Sequence, residues 1–403
     1  MARSAKNSTA PCVALVEANF IDVGKGAWNL LLLGALFLAL ATPKARSLST
    51  RGDVLLGPKL LRVDDHGVAL WVEYPGTLIV TELDARGRPT GTVAVPLPDP
   101  EAHVLDIAPI WSGNEIAVFV LEQGFSRIDT PSPYRRLYLM PLTSHAPLLV
   151  PVAWSMGEDG QADGLVGAGV DTHARRPAVL WQKRIAKTGH PRQASVLSIV
   201  SEGQVTEHLQ VGDHLVATSI TWPGDGAAIM AGHDDGHPFV MGSAGQYVLD
   251  LPLAARISSV LSPASNSPAW LAAGIDADGG LLVVNRQAAN RRGGLVPVPI
   301  IGKTPVVQGF EAEPKPIGRP MLLQGASSPW LAWPTHDHGR DGMRILRISP
   351  GGSPASPSQP AVSCPERAHL FGHDAAVLPS AIVVAIACER GGRASVLAVA
   401  LPP

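Results

Sequence analysis

After its first 45 residues, the chain consists mainly of short apolar runs separated by polar turns. Most of these runs are roughly four to eight residues long, which suits buried β-strands better than helices. The chain has 41 glycines and 37 prolines, and their spread along this body leaves few windows long enough for a helix. The pattern therefore predicts an all-β structure.

The apolar runs come in pairs around a polar turn, which is the pattern of a β-hairpin. Seven such hairpins occur, with turns at residues 74–76, 122–136, 171–177, 233–238, 276–280, 335–342 and 389–393. Their centres are on average about 53 residues apart. This repeat predicts a β-propeller, most simply one with seven four-stranded blades. Because the individual intervals range from about 43 to 61 residues, six or eight blades and two tandem β-sandwiches are alternatives.

In spacing and hydrophobic pattern, the chain resembles bacterial β-propeller repeat proteins. Tryptophan-containing steps at residues 109–113 and 220–224 resemble the innermost strand of a blade, although no repeat has the Trp-Asp dipeptide of WD repeats. The resemblance implies that each hairpin joins the second and third strands of its blade. All seven turns would then lie on one face, the face on which such propellers usually receive ligands.

The first 45 residues have the features of a targeting signal. No charged residue occurs between Lys25 and Lys44, and leucine dominates this stretch. Its apolar centre, residues 30–41, is shorter than the roughly 20 residues of a comfortable membrane span. Because Ala39-Leu40-Ala41 fits a signal-peptidase site, we expect cleavage after Ala41. Basic residues on both sides leave an uncleaved signal anchor as the alternative.

This signal sets the predicted domain organisation. We expect a signal peptide or anchor at residues 1–45, a flexible linker at 46–58 and a single propeller domain at 59–403. The protein would be exported to the periplasm or the exterior, or held at the inner membrane if the signal is not removed. Contact with a membrane is expected only through this uncleaved segment.

Cysteine usage gives a second indication of compartment. Cys12 lies in the segment that would be removed, which leaves Cys364 and Cys388 as a pair. A disulfide between them would suit an oxidising compartment and contribute about 3 kcal/mol. Two separately buried thiols are the alternative, and the spacing is too wide for a C-x-x-C motif.

The charge of the chain excludes one class of partner. Removing residues 1–41 takes away three basic and two acidic residues, which changes the formal net charge from −2 to −3. Nucleic-acid binding needs a concentrated basic surface, and the chain has no long basic run. We therefore expect no nucleic-acid partner.

Two of the predicted turns are rich in possible metal ligands. These are His233, Asp235 and His237 in the fourth hairpin and His336, His338 and Asp341 in the sixth. Imidazole and carboxylate groups suit zinc and similar divalent ions, so a divalent metal is the one cofactor for which the sequence offers candidates. Asp and Gly are also the ordinary residues of tight turns and need no metal there.

Other motifs match only in part. Residues 154–164 resemble the calcium loop of integrin-type propeller repeats through Asp159 and Asp163, but Ser155 and Gly157 stand where that motif has its first ligands. Residues 241–245 lack the first glycine of a G-x-S-x-G elbow. No catalytic residue is therefore assigned.

The sequence favours a non-enzymatic function. We expect an exported binding or scaffold module that presents its loop face to a protein or glycan partner. One alternative is a propeller hydrolase or lyase that acts on a polysaccharide, which predicts that Asp, Glu or His side chains converge at the channel mouth. The other is a membrane-anchored component of an envelope complex.

Overall fold

The chain divides into two units, Met1–Lys44 and Ala45–Pro403. The computed structural model describes residues 45–48, 53–113, 115–126, 132–142, 149–156, 161–171, 175–185, 192–211, 215–222, 228–242, 245–248, 255–262, 270–276, 278–286, 306–310, 314–350 and 352–403. The predicted targeting signal, including Cys12 and Ala41, lies outside these residues. Among them, no helix has the length and apolar character needed to cross a membrane.

The described residues form a seven-bladed β-propeller, in which each blade is a four-stranded antiparallel sheet. Blade 1 contains β2 (Val54–Val63), β3 (His66–Glu73), β4 (Thr77–Leu83) and β5 (Pro89–Pro96). Blade 2 contains β6 (His103–Trp111), β7 (Ile116–Ser126), β8 (Ser132–Pro141) and β9 (Val150–Met156). Blade 3 contains β10 (Ala162–Asp171), β11 (Arg176–Ile185), β12 (Arg192–Ser201) and β13 (Gln204–Gln210).

The remaining blades follow the same order. Blade 4 contains β14 (Leu215–Thr221), β15 (Ile229–Asp234), β16 (His237–Gly242) and β17 (Gly245–Val248). Blade 5 contains β18 (Arg256–Leu261), β19 (Trp270–Ile275), β20 (Leu281–Arg286) and β21 (Val306–Phe310). Blade 6 contains β22 (Met321–Leu323), β23 (Trp330–Asp337), β24 (Arg340–Arg347) and β25 (Gln359–Ser363). Blade 7 contains β26 (His369–Leu378), β27 (Ala381–Arg390), β28 (Arg393–Leu401) and β1 (Arg46–Ser47). This architecture confirms the predicted all-β propeller and its blade number.

The first strand of each blade lines the central channel, because the first strands of neighbouring blades contact one another around the ring. The ring closes in blade 7, where β1 is the outer strand and pairs with β28. Residues 46–58, predicted as a linker, therefore contain β1 and the start of β2. A strand of two residues has no alternating pattern, and only its pairing with the end of the chain makes it a strand.

The hydrophobic core lies between the blades. Seven apolar clusters of described residues occupy the seven junctions between neighbouring blades. In β3, Val68, Leu70 and Val72 pack against blade 2, whereas Ala69 and Trp71 pack against blade 7. Successive residues of a strand point to opposite faces, so a strand buried on both faces is a continuous apolar run. These runs are what made the repeat visible in the sequence.

Six of the seven predicted hairpins join the second and third strands of a blade, as expected. The prediction for the third hairpin was wrong: residues 165–170 and 178–181 belong to β10 and β11, the first and second strands of blade 3. Its turn therefore lies on the opposite face from the other six. In this first strand, Trp222 of blade 4 packs on Gly169, where a Cβ atom would overlap the indole ring. The apolar run of β10 was mistaken for a second strand, although most of its residues are only half-buried.

A disulfide joins Cys364 and Cys388, with a distance of 5.8 Å between their Cα atoms. Cys364 lies in the connection between blades 6 and 7, and Cys388 lies near the end of β27. Both side chains are buried in the apolar cluster between these two blades. The predicted pairing is therefore confirmed.

Candidate functional site

The predicted metal ligands of blade 4 lie on a tight hairpin between β15 and β16. Asp235 and Gly236 form its turn with positive φ angles of 47° and 89°, as a two-residue type I′ turn requires. The half-buried His233 precedes this turn on β15, and His237 begins β16. Burial and the nearby charge of Arg256 lower the pKa of His233, which favours its neutral form.

The predicted ligands of blade 6 surround a similar turn, in which His338 and Gly339 have φ angles of 50° and 74°. His336 Nδ1 lies 2.7 Å from Asp341 Oδ1, and Asp341 Oδ2 accepts the Leu370 N–H of blade 7 at 3.0 Å. Burial alone would raise the pKa of Asp341, but these two hydrogen bonds leave it below its ordinary value. Asp341 thus connects blade 6 to blade 7.

The two hairpins lie on the same face but are separated by blade 5. Within the described residues, no three His, Cys, Asp or Glu side chains are placed to hold a metal ion together. The structure brings His336 to Asp341 and does not bring the blade 4 candidates to either of them. A metal at these turns stays a prediction from the sequence.

Asp163 of the partial calcium motif is held by arginine side chains and not in a calcium-binding loop. Its residues 157–160, including Asp159, lie outside the described residues. Asp163 receives Arg135 Nη1 at 2.5 Å and Arg184 Nε at 3.0 Å, so each of its oxygens is held by a guanidinium. Burial raises the pKa of Asp163, but the hydrogen bonds of Arg184 and Gln193 and both arginine charges outweigh this and lower it. Asp163 therefore connects blades 2 and 3 through ion pairs.

A charged group that the sequence analysis missed lies in the central channel. Lys59 Nζ, on β2, is 3.3 Å from Asp106 Oδ1 on β6, and Asp374 on β26 also acts on its charge. Three blades surround the ammonium, yet 36% of the Lys59 side chain is accessible, so it faces the solvent in the channel. Burial alone would lower the pKa of Lys59, but the two carboxylates outweigh it and raise this pKa.

Asp374 is held mainly by backbone groups. Its Oδ2 accepts the Leu60 N–H of blade 1 at 2.7 Å, and its Oδ1 accepts the Ala375 N–H at 2.8 Å. Burial raises the pKa of Asp374, against the opposite effects of Lys59 and these N–H groups. Serine side chains also accept a backbone N–H from the next blade at two other junctions. Ser219 Oγ accepts an N–H from blade 5, and Ser259 Oγ accepts one from blade 6.

These bonds have one physical cause. The first strand of each blade has an inner edge without a neighbouring strand, and its buried N–H groups need acceptors. Asp374 accepts such an N–H where blade 7 meets blade 1, and the ion pair of Lys59 with Asp106 joins blade 1 to blade 2.

The hydrolase alternative predicted that ionisable side chains converge at the channel, and Lys59, Asp106 and Asp374 do so. Because both Asp374 oxygens accept backbone N–H groups, we interpret this cluster as part of ring closure.

A second charged group, buried in blade 2, lies at the end of a long hairpin. Residues 122–136 were predicted as a loop, but β7 continues to Ser126 and β8 begins at Ser132. Glu122 is fully buried and binds Arg136 Nε and the Tyr138 hydroxyl, the latter at 2.9 Å. Burial raises the pKa of Glu122, while Arg136 and Tyr138 act in the opposite direction. The Arg136 guanidinium also lies 5.6 and 5.3 Å from the ring centres of Tyr134 and Tyr138.

The buried Glu122–Arg136 pair adjoins a group of exposed side chains. In the register of β8 and β9, Arg136 is opposite Trp154 and Tyr134 is opposite Met156, so all four side chains share one face of the sheet. Trp154 is 64% exposed and Met156 is 49% exposed. We call these four residues the blade 2 patch. They lie at the ends of their strands on the face that carries the hairpin turns.

Comparisons with known proteins show the fold alone. No protein-family model and no curated protein matches the chain. The β-propeller domain of the Trilobed protease from Pyrococcus furiosus is similar in structure, with a TM-score of 0.47 and 8% identity over 87% of this chain and 94% of that one. The WD40 domain of SCAP from fission yeast has a TM-score of 0.45 and 9% identity over 89% and 94%. The polysaccharide lyase Uly1 has a TM-score of 0.46 and 8% identity over 89% and 99%. These structures differ in their named activities, and the seven blades of this chain rest on its own sheet topology.

Proposed function

We propose that this protein is an exported binding module that holds a protein partner on the blade 2 patch. The exposed Trp154 carries this proposal, together with Met156 beside it. Large side chains that are exposed together on a rigid surface mark interaction sites. Tryptophan, tyrosine and arginine are also the residues most enriched at the energetic centres of protein interfaces.

The make-up of the patch favours a protein over a glycan. Methionine is enriched at protein interfaces, where its flexible thioether adapts to the apolar side chains of a partner. The patch is also rigid underneath, because Arg136 is bonded to Glu122 and packed against two tyrosine rings. A rigid base lowers the entropic cost of binding. A glycan partner, which the sequence left open, is an outcome of the test below.

We expect the Trp154→Ala variant to lose the partner. Removing a central tryptophan from an interface costs about 2 kcal/mol or more, which is roughly a thirtyfold rise in Kd. The measurement is site-specific cross-linking in the producing cells, with a photoreactive residue at position 156. A discrete protein adduct should form at this position and disappear when Trp154→Ala is combined with it.

The matched control is position 371, since Phe371 is 42% exposed on β26 of blade 7, which blade 1 separates from the blade 2 patch. The same photoreactive residue there should give no such adduct. Equal adducts at both positions, or none at position 156, would contradict a protein partner. Retention of the protein on a glycan array that is lost in Trp154→Ala would instead assign the patch to a glycan.

Export is the second part of the proposal. The apolar segment before Ala41 supports it, and so does the bond between Cys364 and Cys388, because disulfides persist mainly in oxidising compartments. We expect N-terminal sequencing of protein from the exported fraction to begin at Thr42.

An Ala41→Tyr variant should keep the longer chain, since signal peptidase requires a small residue before the cut. Recovery of the uncut native chain from the membrane fraction would support the anchored envelope component instead. Recovery of the native chain only from the cytoplasm would overturn export altogether.

A further inference from the structure

An open cleft of about 470 Å³ lies on the hairpin face at blade 6, separate from the blade 2 patch. Pro314, Lys315, Asp337 and Arg344 line it. Asp337 ends β23, and Arg344 lies on β24, so the floor belongs to the second and third strands of the blade. Pro314 and Lys315 belong to the segment that leads into β22. Because the cleft is open to solvent, a ligand there would be held from one side by a few polar contacts.

The wall of the cleft is held in place by backbone bonds. The Ile317 N–H donates to Pro334 O at 2.9 Å, and Pro316 forms an isolated bridge with Thr335 of β23. Lys315 Nζ donates to Asp278 O of the blade 5 hairpin at 3.1 Å. The segment is therefore fixed on both sides. A ligand would meet a cleft that is already formed, which reduces the cost of binding.

The charges of the cleft favour an anion. Arg344 Nη1 lies 3.2 Å from Asp337 Oδ2, and Arg344 Nη2 donates to Ser358 O at the same distance. The Arg344 side chain is only 15% exposed, so this guanidinium is a fixed part of the floor. Lys315 is exposed and has no carboxylate partner among the described residues. Among the residues that the structure describes here, Lys315 and Arg344 thus face the single carboxylate of Asp337, whose other oxygen lies 3.4 Å from His338 Nε2.

The polar groups also define the rest of the ligand. Lys315 has two further ammonium hydrogens beyond the one that Asp278 O accepts, and these can bind a carboxylate. Asp337 has oxygens that accept hydrogen bonds, so it suits a hydroxyl group. The ring of Pro314 offers a small apolar surface against which a sugar ring can pack. Carboxylate, hydroxyls and a ring with an apolar face occur together in acidic sugars.

We propose that this cleft binds an acidic sugar, with the sugar carboxylate at Lys315 and a ring hydroxyl at Asp337. The site is independent of the blade 2 patch and uses different strands. It uses Asp337, which is not one of the metal ligands His336, His338 and Asp341 predicted in the sixth hairpin.

The test is a titration of the ¹⁵N-labelled protein with sodium D-glucuronate, followed by the amide signals in NMR spectra. We expect saturable shifts at residues 315 and 337 with a Kd on the order of 1 mM, as for a small ligand with few contacts. Lys315→Ala should weaken binding about tenfold, because it removes one charge-assisted contact. Lys315 is exposed, and the backbone bonds of Pro316 and Ile317 still hold the segment, so the variant should fold normally.

Three controls decide the result. Lys183→Ala removes a lysine from β11 of blade 3 and should leave the affinity unchanged. D-glucose, which lacks the carboxylate, should not bind, and sodium phosphate should bind more weakly than glucuronate. The proposal is overturned if glucose binds as well as glucuronate, if Lys315→Ala has no effect, or if phosphate binds equally well, since the cleft would then recognise only charge.

Discussion

Replacing Arg136 by methionine is expected to lower the free energy of unfolding by about 3 kcal/mol, the low end of the range for breaking a buried ion pair. Glu122 is fully buried, and without Arg136 its carboxylate keeps the Tyr138 hydroxyl as its one partner among the described residues. A buried charge without a counterion must be desolvated without compensation or must take up a proton. We choose the low end because 29% of the Arg136 side chain is exposed. The measurement is the shift of the denaturant midpoint.

The chain offers a matched control for this change. Arg88 pairs with Asp84 at 2.7 Å, but its side chain is 56% exposed. Arg88→Met should therefore change the stability by under about 1 kcal/mol. In the Arg136→Met background, Glu122→Gln should recover part of the loss, since a neutral amide replaces the uncompensated charge. Equal shifts for the Arg136 and Arg88 variants would contradict the buried ion pair.

Reducing the Cys364–Cys388 disulfide is expected to lower the stability by about 3 kcal/mol. The bond joins residues 24 positions apart, and chain-entropy estimates for loops of this length give that value. The loop contains all of β26, the strand that carries Asp374 and connects blade 7 to blade 1. We therefore expect the loss to appear in the unfolding of the whole ring. The measurement is equilibrium unfolding with and without reductant.

The control is the Cys364→Ala, Cys388→Ala double variant, which has no bond to reduce. Its midpoint should not respond to reductant, although the smaller side chains make it less stable than the native protein. A reductant effect of the same size in both proteins would show that the disulfide is not its cause. No effect in the native protein would contradict the predicted contribution of the bond.

The two proposed sites lie on the same face of the propeller. The blade 2 patch is mainly apolar, since Glu122 neutralises Arg136, whereas the blade 6 cleft is polar, with two cations and one carboxylate in its described lining. The first suits a protein surface and the second a small acidic sugar. Binding at each site can be tested without the other, because the Trp154 and Lys315 variants change different blades.

The sequence by itself predicted the all-β fold class, seven blades as the simplest of several numbers, and the disulfide pair, and the structure decided the blade number. Strands buried on both faces must be continuous apolar runs, as in β3, and tight turns need residues such as Asp235-Gly236, so both leave a local pattern. Cys364 and Cys388 could be paired because no other cysteine follows the predicted signal. The local pattern was misleading in β10, where Gly169 packs against Trp222 and the strand has the apolar run expected of a second strand.

The tertiary structure alone decided which charged residues are buried and which meet. The sequence predicted Glu122 and Arg136 to be loop residues. Their burial depends on how far the strands of blade 2 extend, which the local pattern does not show. Lys59 and Asp374 are more than 300 positions apart and meet only when the last blade closes against the first. The blade 2 patch likewise depends on the register that places Trp154 opposite Arg136. Local sequence can determine a strand and its turn, but contacts between distant strands exist only once the ring is closed.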